Sequence, residues 1–245
     1  PPDTGSRPSR CVSTAGSTGG PVLASTTTDG WNELTDKVLT MPIDAAQARA
    51  LNVGDTVRIS GDIVVSAGLP TYQRIADHLR DGRALPIDLR DGVLFHLGSY
   101  SREGQGGDLE VLYINPTTST RFNALMPGII RGLGLHAVGG KGGLDAECVK
   151  AMQDAGCVYL SFPGGGSALL SEALRGVREV AWPELLTHYR LVKLRVDGLG
   201  PATVAIDAHG NSIYAELQAG SQRRMAEILD GLQRDRAESG RVDQQ

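Results

Sequence analysis

Two apolar runs that each end in a glycine turn constrain the fold most. Residues 135–138 lead into Gly139-Gly140-Lys141-Gly142-Gly143, after which residues 145–155 carry a helical pattern. Residues 157–162 lead into Pro163-Gly164-Gly165-Gly166-Ser167, with a helix read over 168–174. Strand, glycine turn and helix, repeated about 25 residues apart, imply parallel strands joined by right-handed crossovers, with both glycine turns on one sheet edge. The expected class is α/β with a mixed sheet.

The rest of the chain fills in around these units. Residues 31–40 read as a strand, followed by a short helix and the turn Val53-Gly54-Asp55. The alternation over 56–60 and 63–65, broken at Gly61-Asp62, reads as a hairpin within a small barrel or β layer. Gly68-Leu69-Pro70 opens a helix with Tyr72, Ile75, Ala76 and Leu79 on one face, and Gly82 ends it. Residues 93–98 read as a buried strand, 99–110 as a loop and 111–114 as a strand. After Trp182, the stretches 187–196, 201–210 and 211–217 alternate as antiparallel strands. Met225, Ile228, Leu229 and Leu232 then stripe a helix that could pack on this domain or on a partner. Residues 1–30, rich in Ser, Thr, Gly and Pro, are expected to form a disordered tail, 31–232 the domain, and 233–245 a charged terminus that frays.

Charge narrows the function. A formal net charge of -4 gives no general attraction to nucleic acid or an anionic membrane, so an anion site must be a local concentration of cations. No apolar run is long enough to span a bilayer, and the N-terminus lacks a secretory signal, so a cytoplasmic location is expected. The start at Pro1 points to removal of an initiator methionine or to trimming. Three cysteines, Cys11, Cys148 and Cys157, are too few and too irregularly spaced for a disulfide framework. As cluster ligands they are disfavoured, because Cys11 falls in the tail and Cys148 on a helix.

Chemistry concentrates in residues 115–143. Pro116-Thr117-Thr118-Ser119-Thr120-Arg121 packs four hydroxyls and a guanidinium into six residues, directly after a strand, and the Lys141 loop follows one helix later. If the helix folds back, Arg121 and Lys141 share a rim, and two cations with nearby hydroxyls suit a carboxylate or phosphate. The alternative is structural: hydroxyls that cap a helix and glycines that turn the chain. The lysine loop is not a P-loop, since Leu135 stands where the first glycine belongs and Gly142 where a Ser or Thr would hold magnesium. No dinucleotide fingerprint is present either. His96 reads as a core or edge histidine and His209 as a turn residue.

Several separated motifs together resemble a known family. They are Leu51-x-x-Gly54-Asp55 with Ser60-Gly61, Leu85-Pro86-Ile87-Asp88-Leu89, Pro116-Thr117-Thr118-x-x-Arg121, Gly140-Lys141-Gly142, the turn over 164–169, and Ile206-Asp207-Ala208-x-Gly210-Asn211-Ser212-Ile213-Tyr214. In this order, over 31–217, the chain resembles the β subunits of L-tartrate dehydratase and the C-terminal domain of class I fumarases. The resemblance implies a swivelling β/β/α fold and a hydro-lyase acting beside a carboxylate. It implies a 4Fe-4S cluster held by an alpha-type partner subunit, not by this chain, in a heterodimer or heterotetramer. It makes Thr117 and Lys141 catalytic, the threonine in proton abstraction, and places Thr118, Arg121, Gly140 and Gly142 around a small carboxylic acid substrate.

The chain also departs from the family pattern. Gly68-Leu69-Pro70-Thr71-Tyr72 stands where relatives carry Arg-Asp-x-x-His, and Thr187-His188-Tyr189-Arg190 where they carry Gly-x-Glu-Ala. Asn115 replaces a glycine and Phe122 a methionine. Losing one carboxylate-binding arginine while keeping Arg121 and Lys141 implies a substrate other than tartrate or fumarate, with an apolar or amide group in place of one carboxylate. A non-catalytic anion-binding or scaffolding homologue and a metal-independent enzyme are the other readings.

Overall fold

The computed structural model describes residues 36–103 and 109–242, the side chains of 103 and 237–242 excepted. In chain order the elements are β1 (Lys37–Met41), α1 (Ala45–Arg49), β2 (Thr56–Val65), α2 (Leu69–Arg80), β3 (Val93–Phe95), β4 (Leu97–Glu103) and β5 (Leu109–Pro116). A 3-10 turn (Ser119–Phe122) follows, then α3 (Met126–Leu133), β6 (Ala137–Gly140), α4 (Ala146–Ala155), β7 (Val158–Ser161) and α5 (Ser167–Ser171). The chain closes with β8 (Leu174–Ala181), β9 (Leu191–Ile206) and α6 (Ile213–Val242).

Seven strands form one mixed sheet in the order β1-β2-β3-β6-β7-β9-β8. The run from β1 to β7 is parallel throughout, as the repeated strand-turn-helix units require. β9 is antiparallel to β7, β8 and β2, so β2, β3, β6, β7 and β9 close into a ring. Strand residues alternate between two cores. Val93, Phe95, Ala137, Val158 and Leu160 face one cluster, while Leu94, Val138 and Tyr159 face a second that includes Ile75 of α2, Ile129 and Ile130 of α3 and Met152 of α4. Burial on both faces is why these strands are apolar at every position.

Four sequence expectations are corrected. Residues 56–65 are one strand and not a hairpin: Gly61, at φ +117 and too close to the Met41 carbonyl for any Cβ, carries an irregularity in the pairing with β9, and the strand continues through it. The loop read over 99–110 is strand over 99–103 and 109–110, its remaining residues lying outside the described part. β4 and β5 pair as an antiparallel ribbon with Tyr100 opposite Tyr113 and Gly98 opposite Asn115, and this ribbon stands apart from the main sheet. The helix read over 168–174 ends at Ser171, and β8 follows as an edge strand, mostly exposed, whose Arg and Glu residues hid its alternation. The stretches 187–196 and 201–210 belong largely to the single long β9, and 211–217 is the start of α6, not a strand. The strand read over 31–40 is seen from Lys37; its earlier residues lie outside the described part, as does the tail over 1–30.

Asp207 explains the change of direction. Its carboxylate accepts from the backbone N–H groups of His209 (2.9 Å) and Asn211 (3.0 Å), from the Asn211 side chain (2.8 Å) and from Val53 N–H (3.4 Å). Burial acts to raise its pKa, yet the bonds from Asn211, His209 and Val53 hold it below the ordinary carboxylate value. The Ser212 hydroxyl then accepts from Ala215 N–H at 3.4 Å, in the first turn of α6. Of the two places offered for the apolar stripe of α6, the described domain is not one, for Met225, Ile228, Leu229 and Leu232 are each about half exposed. Among the described residues no helix is long and apolar enough to cross a membrane.

Candidate functional site

The site grows from the carboxyl ends of the parallel strands β3 and β6, the place where α/β sheets collect ligands. His96, directly after β3, donates its backbone N–H to Gly139 O (2.6 Å) and accepts from Thr117 N–H (2.8 Å). Lys141 N–H donates to Thr117 O (3.0 Å), and Ser119 N–H to Lys141 O (2.8 Å). The hydroxyl-rich turn is thereby laced to the lysine loop, with Thr118 and Lys141 forming a parallel bridge. Gly140 pairs with Ser161, so the two glycine turns share one edge, and the Lys141 side chain passes 3.6 Å from the Cβ position of Gly164.

These contacts bring Thr117, Thr118, Arg121 and Lys141 onto one cleft of about 250 Å³, lined also by Ala67, Gly98, Ser99, Tyr100, Tyr113, Asn115, Pro116 and His188. No Asp or Glu lines it among the described residues. Within the same limits, neither the Arg121 nor the Lys141 side chain has an ion-pair or hydrogen-bond partner. Two uncompensated cations beside two threonine hydroxyls have the chemistry to hold an anion. Gly140 and Gly142 lie behind it: a Cβ on Gly140 would meet His96, Thr117 and Ser119, and one on Gly142, at φ +81, would touch Thr118.

Beneath the rim runs a buried polar chain. His96 Nδ1 lies 2.7 Å from Ser119 Oγ, which lies 2.8 Å from the Tyr159 hydroxyl, and Gly143 N–H donates to that hydroxyl at 3.3 Å. The His96 ring packs against Tyr72 and Phe122, and its Nε2 has no partner among the described residues. Burial lowers its pKa from 6.5 to about 3, so it adds no charge to the rim. The unfolded chain takes up this proton near pH 6.5 and the native state only near 3. Stability is therefore full above 6.5 and declines below it, by about 1.4 kcal/mol per pH unit. Unfolding free energies from urea titrations at pH 7 and pH 5 should differ by about 2 kcal/mol, and His96→Phe should flatten that difference. An equally steep profile in the variant would show that His96 is not the group responsible.

Sequence reasoning named Thr117, Thr118, Arg121 and Lys141 and missed the opposite wall. The segments where the chain leaves the family pattern meet there: Ala67 N–H donates to His188 O (3.0 Å), the hydroxyls of Thr71 and Ser66 reach Tyr189 O, and Gly68 has Tyr189 against its Cβ position. Tyr100 and Tyr113 stack at 5.4 Å and 16°. Nothing local marked them, since Tyr113 stands between exposed Leu112 and buried Ile114 and Tyr100 follows buried Ser99. Cys148 and Cys157 are buried, free and pushed up in pKa by that burial. Among the described residues no group of three His, Cys, Asp or Glu could hold a metal.

A mixed α/β domain with a two-cation cleft at the carboxyl ends of parallel strands is the class that this fold and site define. The chain belongs to the fumarase C-terminus family, whose model matches residues 22–217. It is 34% identical over 182 residues, 74% of this chain and 92% of the relative, to a Methanocaldococcus jannaschii protein named as an L(+)-tartrate dehydratase subunit beta. It is 32% identical over 180 residues, 74% of this chain and 87% of the relative, to the L(+)-tartrate dehydratase subunit beta of Escherichia coli K12. A Geobacillus stearothermophilus protein named as a class I fumarate hydratase is 30% identical over 201 residues, 79% of this chain and 37% of that relative.

Proposed function

We propose that this chain is the β-type subunit of a heteromeric hydro-lyase that adds or removes water on a hydroxy or unsaturated carboxylic acid. The observation that carries the reading is the convergence of Thr117, Arg121 and Lys141 on one cleft without carboxylates, in a chain whose relatives are named as dehydratase and hydratase subunits. Arg121 grips the substrate carboxylate with its planar fork, and Lys141 offsets the enolate-like charge that develops when the neighbouring carbon loses its proton. Thr117 stands where that proton leaves, while Thr118 and the Cβ-free backbone of Gly140 and Gly142 shape the rim.

A threonine hydroxyl is a weak base, and among the described residues no carboxylate lines the cleft to activate it. The site is therefore half of a centre, completed by an alpha-type subunit in a cytoplasmic heterodimer or heterotetramer, on a fold of the swivelling β/β/α type. The described residues of this chain do not fit a cluster, since no group of them could hold even one metal. The 4Fe-4S cluster implied by the resemblance would be held by that partner and would supply Lewis-acid chemistry to the shared centre.

The test is anaerobic co-purification of the chain from its native cells, with iron and partner read on one sample. A partner with cluster-forming cysteines and about four irons per pair is the expected result. An iron-free chain without a partner would overturn the half-site reading and leave a domain that binds anions at Arg121 and Lys141.

A further inference from the structure

We infer that the cleft is built for a monocarboxylic acid with an aromatic or flat apolar tail, in preference to a short dicarboxylate. The inference rests on Arg121 and Lys141 being the carboxylate clamp proposed above. Fixed charge gathers at one end of the cleft: Thr118 bridges to Lys141, Arg121 follows three residues later in the same turn, and no third lysine or arginine lines the space among the described residues.

The other end is of different chemistry. At Gly98 a Cβ would sit 3.2 Å from the Ala67 methyl and 3.5 Å from His188 Cβ, so these three form one closely packed wall without a fixed cation. Tyr100 and Tyr113 continue it on the β4–β5 ribbon, as a stacked pair of phenols that stays 43% and 45% exposed while lining the cleft. Paired rings left uncovered beside a two-cation rim offer a flat apolar surface of the kind that holds an aromatic substituent. A second carboxylate at this end would exchange its water for a methyl group, ring faces and the neutral side chains of Ser99 and Asn115, with no lysine or arginine among the described residues there to balance a full charge. A phenyl group there gains contact and loses nothing. Specificity at such a wall comes as much from rejecting the diacid as from holding the ring.

The experiment is a calorimetric titration of the protein as it co-purifies from its native cells, with any partner subunit attached, using 3-phenyllactate, malate and lactate as probes. 3-Phenyllactate is expected to bind about tenfold or more tightly than malate. Tyr113→Ala should shrink the preference for 3-phenyllactate over lactate about tenfold. Tyr100→Gln serves as the second variant should the first not fold. Malate binding as tightly as 3-phenyllactate, or either tyrosine variant leaving the preference intact, would overturn the aromatic wall. Arg121→Ala separates the two readings. If it weakens all three acids while they rank equally, the clamp stands and only the wall falls. If it changes none of them, or if no acid binds the wild-type protein as co-purified, the clamp reading fails and takes the wall with it.

Discussion

Arg121→Ala is expected to lower kcat/KM of the assembled enzyme by about 10²–10³-fold, or roughly 3–4 kcal/mol of transition-state stabilisation. The size follows from what surrounds the guanidinium. Arg121 is exposed at the rim and has no ion-pair partner among the described residues, so the substrate carboxylate gains its forked pair of hydrogen bonds without an internal carboxylate having to be displaced. For the same reason the substitution should scarcely touch stability, changing it by no more than about 0.5 kcal/mol. Arg121→Lys keeps the charge and loses the fork, and should recover only part of the activity. Steady-state kinetics of the complex with thermal unfolding of the chain decide the matter. An Arg121→Ala enzyme with wild-type kcat/KM would remove the clamp, and a large fall in stability would make Arg121 a structural residue instead.

What could be read from the sequence follows how locally each feature is determined. The parallel core was legible because strands buried on both faces are apolar at every position, as in Val93-Leu94-Phe95 and Val158-Tyr159-Leu160, and because each runs into glycines and a helix. Strands with one face in water were not. β8 and the β4–β5 ribbon carry arginines, glutamates and serines outward, and residues 211–217 alternate like a strand while the Asp207 turn starts a helix. Closure of the ring depends on β9 pairing with β2 over a separation of more than 130 residues, which local pattern does not record. The site divides in the same way. Thr117, Thr118 and Arg121 are neighbours in sequence, and Lys141 is brought to them by one helix. Ala67, Tyr100, Tyr113 and His188 reach the cleft from four places in the chain, by packing alone. The two departures over 68–72 and 187–190 looked unrelated in sequence and proved to touch.

Gly140→Ala is expected to be strongly damaging for so small a substitution, costing about 3 kcal/mol of stability, the upper part of the range for overpacking, and disordering the rim as well. A Cβ at this position would overlap Ser119 Oγ and lie 2.9 Å from His96 Cβ and 3.0 Å from Thr117 O. None of the three can give way cheaply. Ser119 holds both the Tyr159 hydroxyl and His96 Nδ1, the His96 ring is fixed against Tyr72 and Phe122, and Thr117 O accepts from Lys141 N–H. Relief of the overlap must therefore part the threonine turn from the lysine loop, which separates Thr117 and Arg121 from Lys141. Gly128→Ala is the contrast. A Cβ at Gly128 in α3 meets nothing within 4 Å, and the exchange of glycine for alanine in a helix should stabilise the chain by about 0.5–1 kcal/mol. Chemical unfolding of both variants, with titration of a carboxylate such as lactate, separates the outcomes: Gly140→Ala should lose stability and binding together, and Gly128→Ala neither. A Gly140→Ala chain that unfolds at the wild-type denaturant concentration and binds normally would mean that the turn and the loop are not packed through this backbone position.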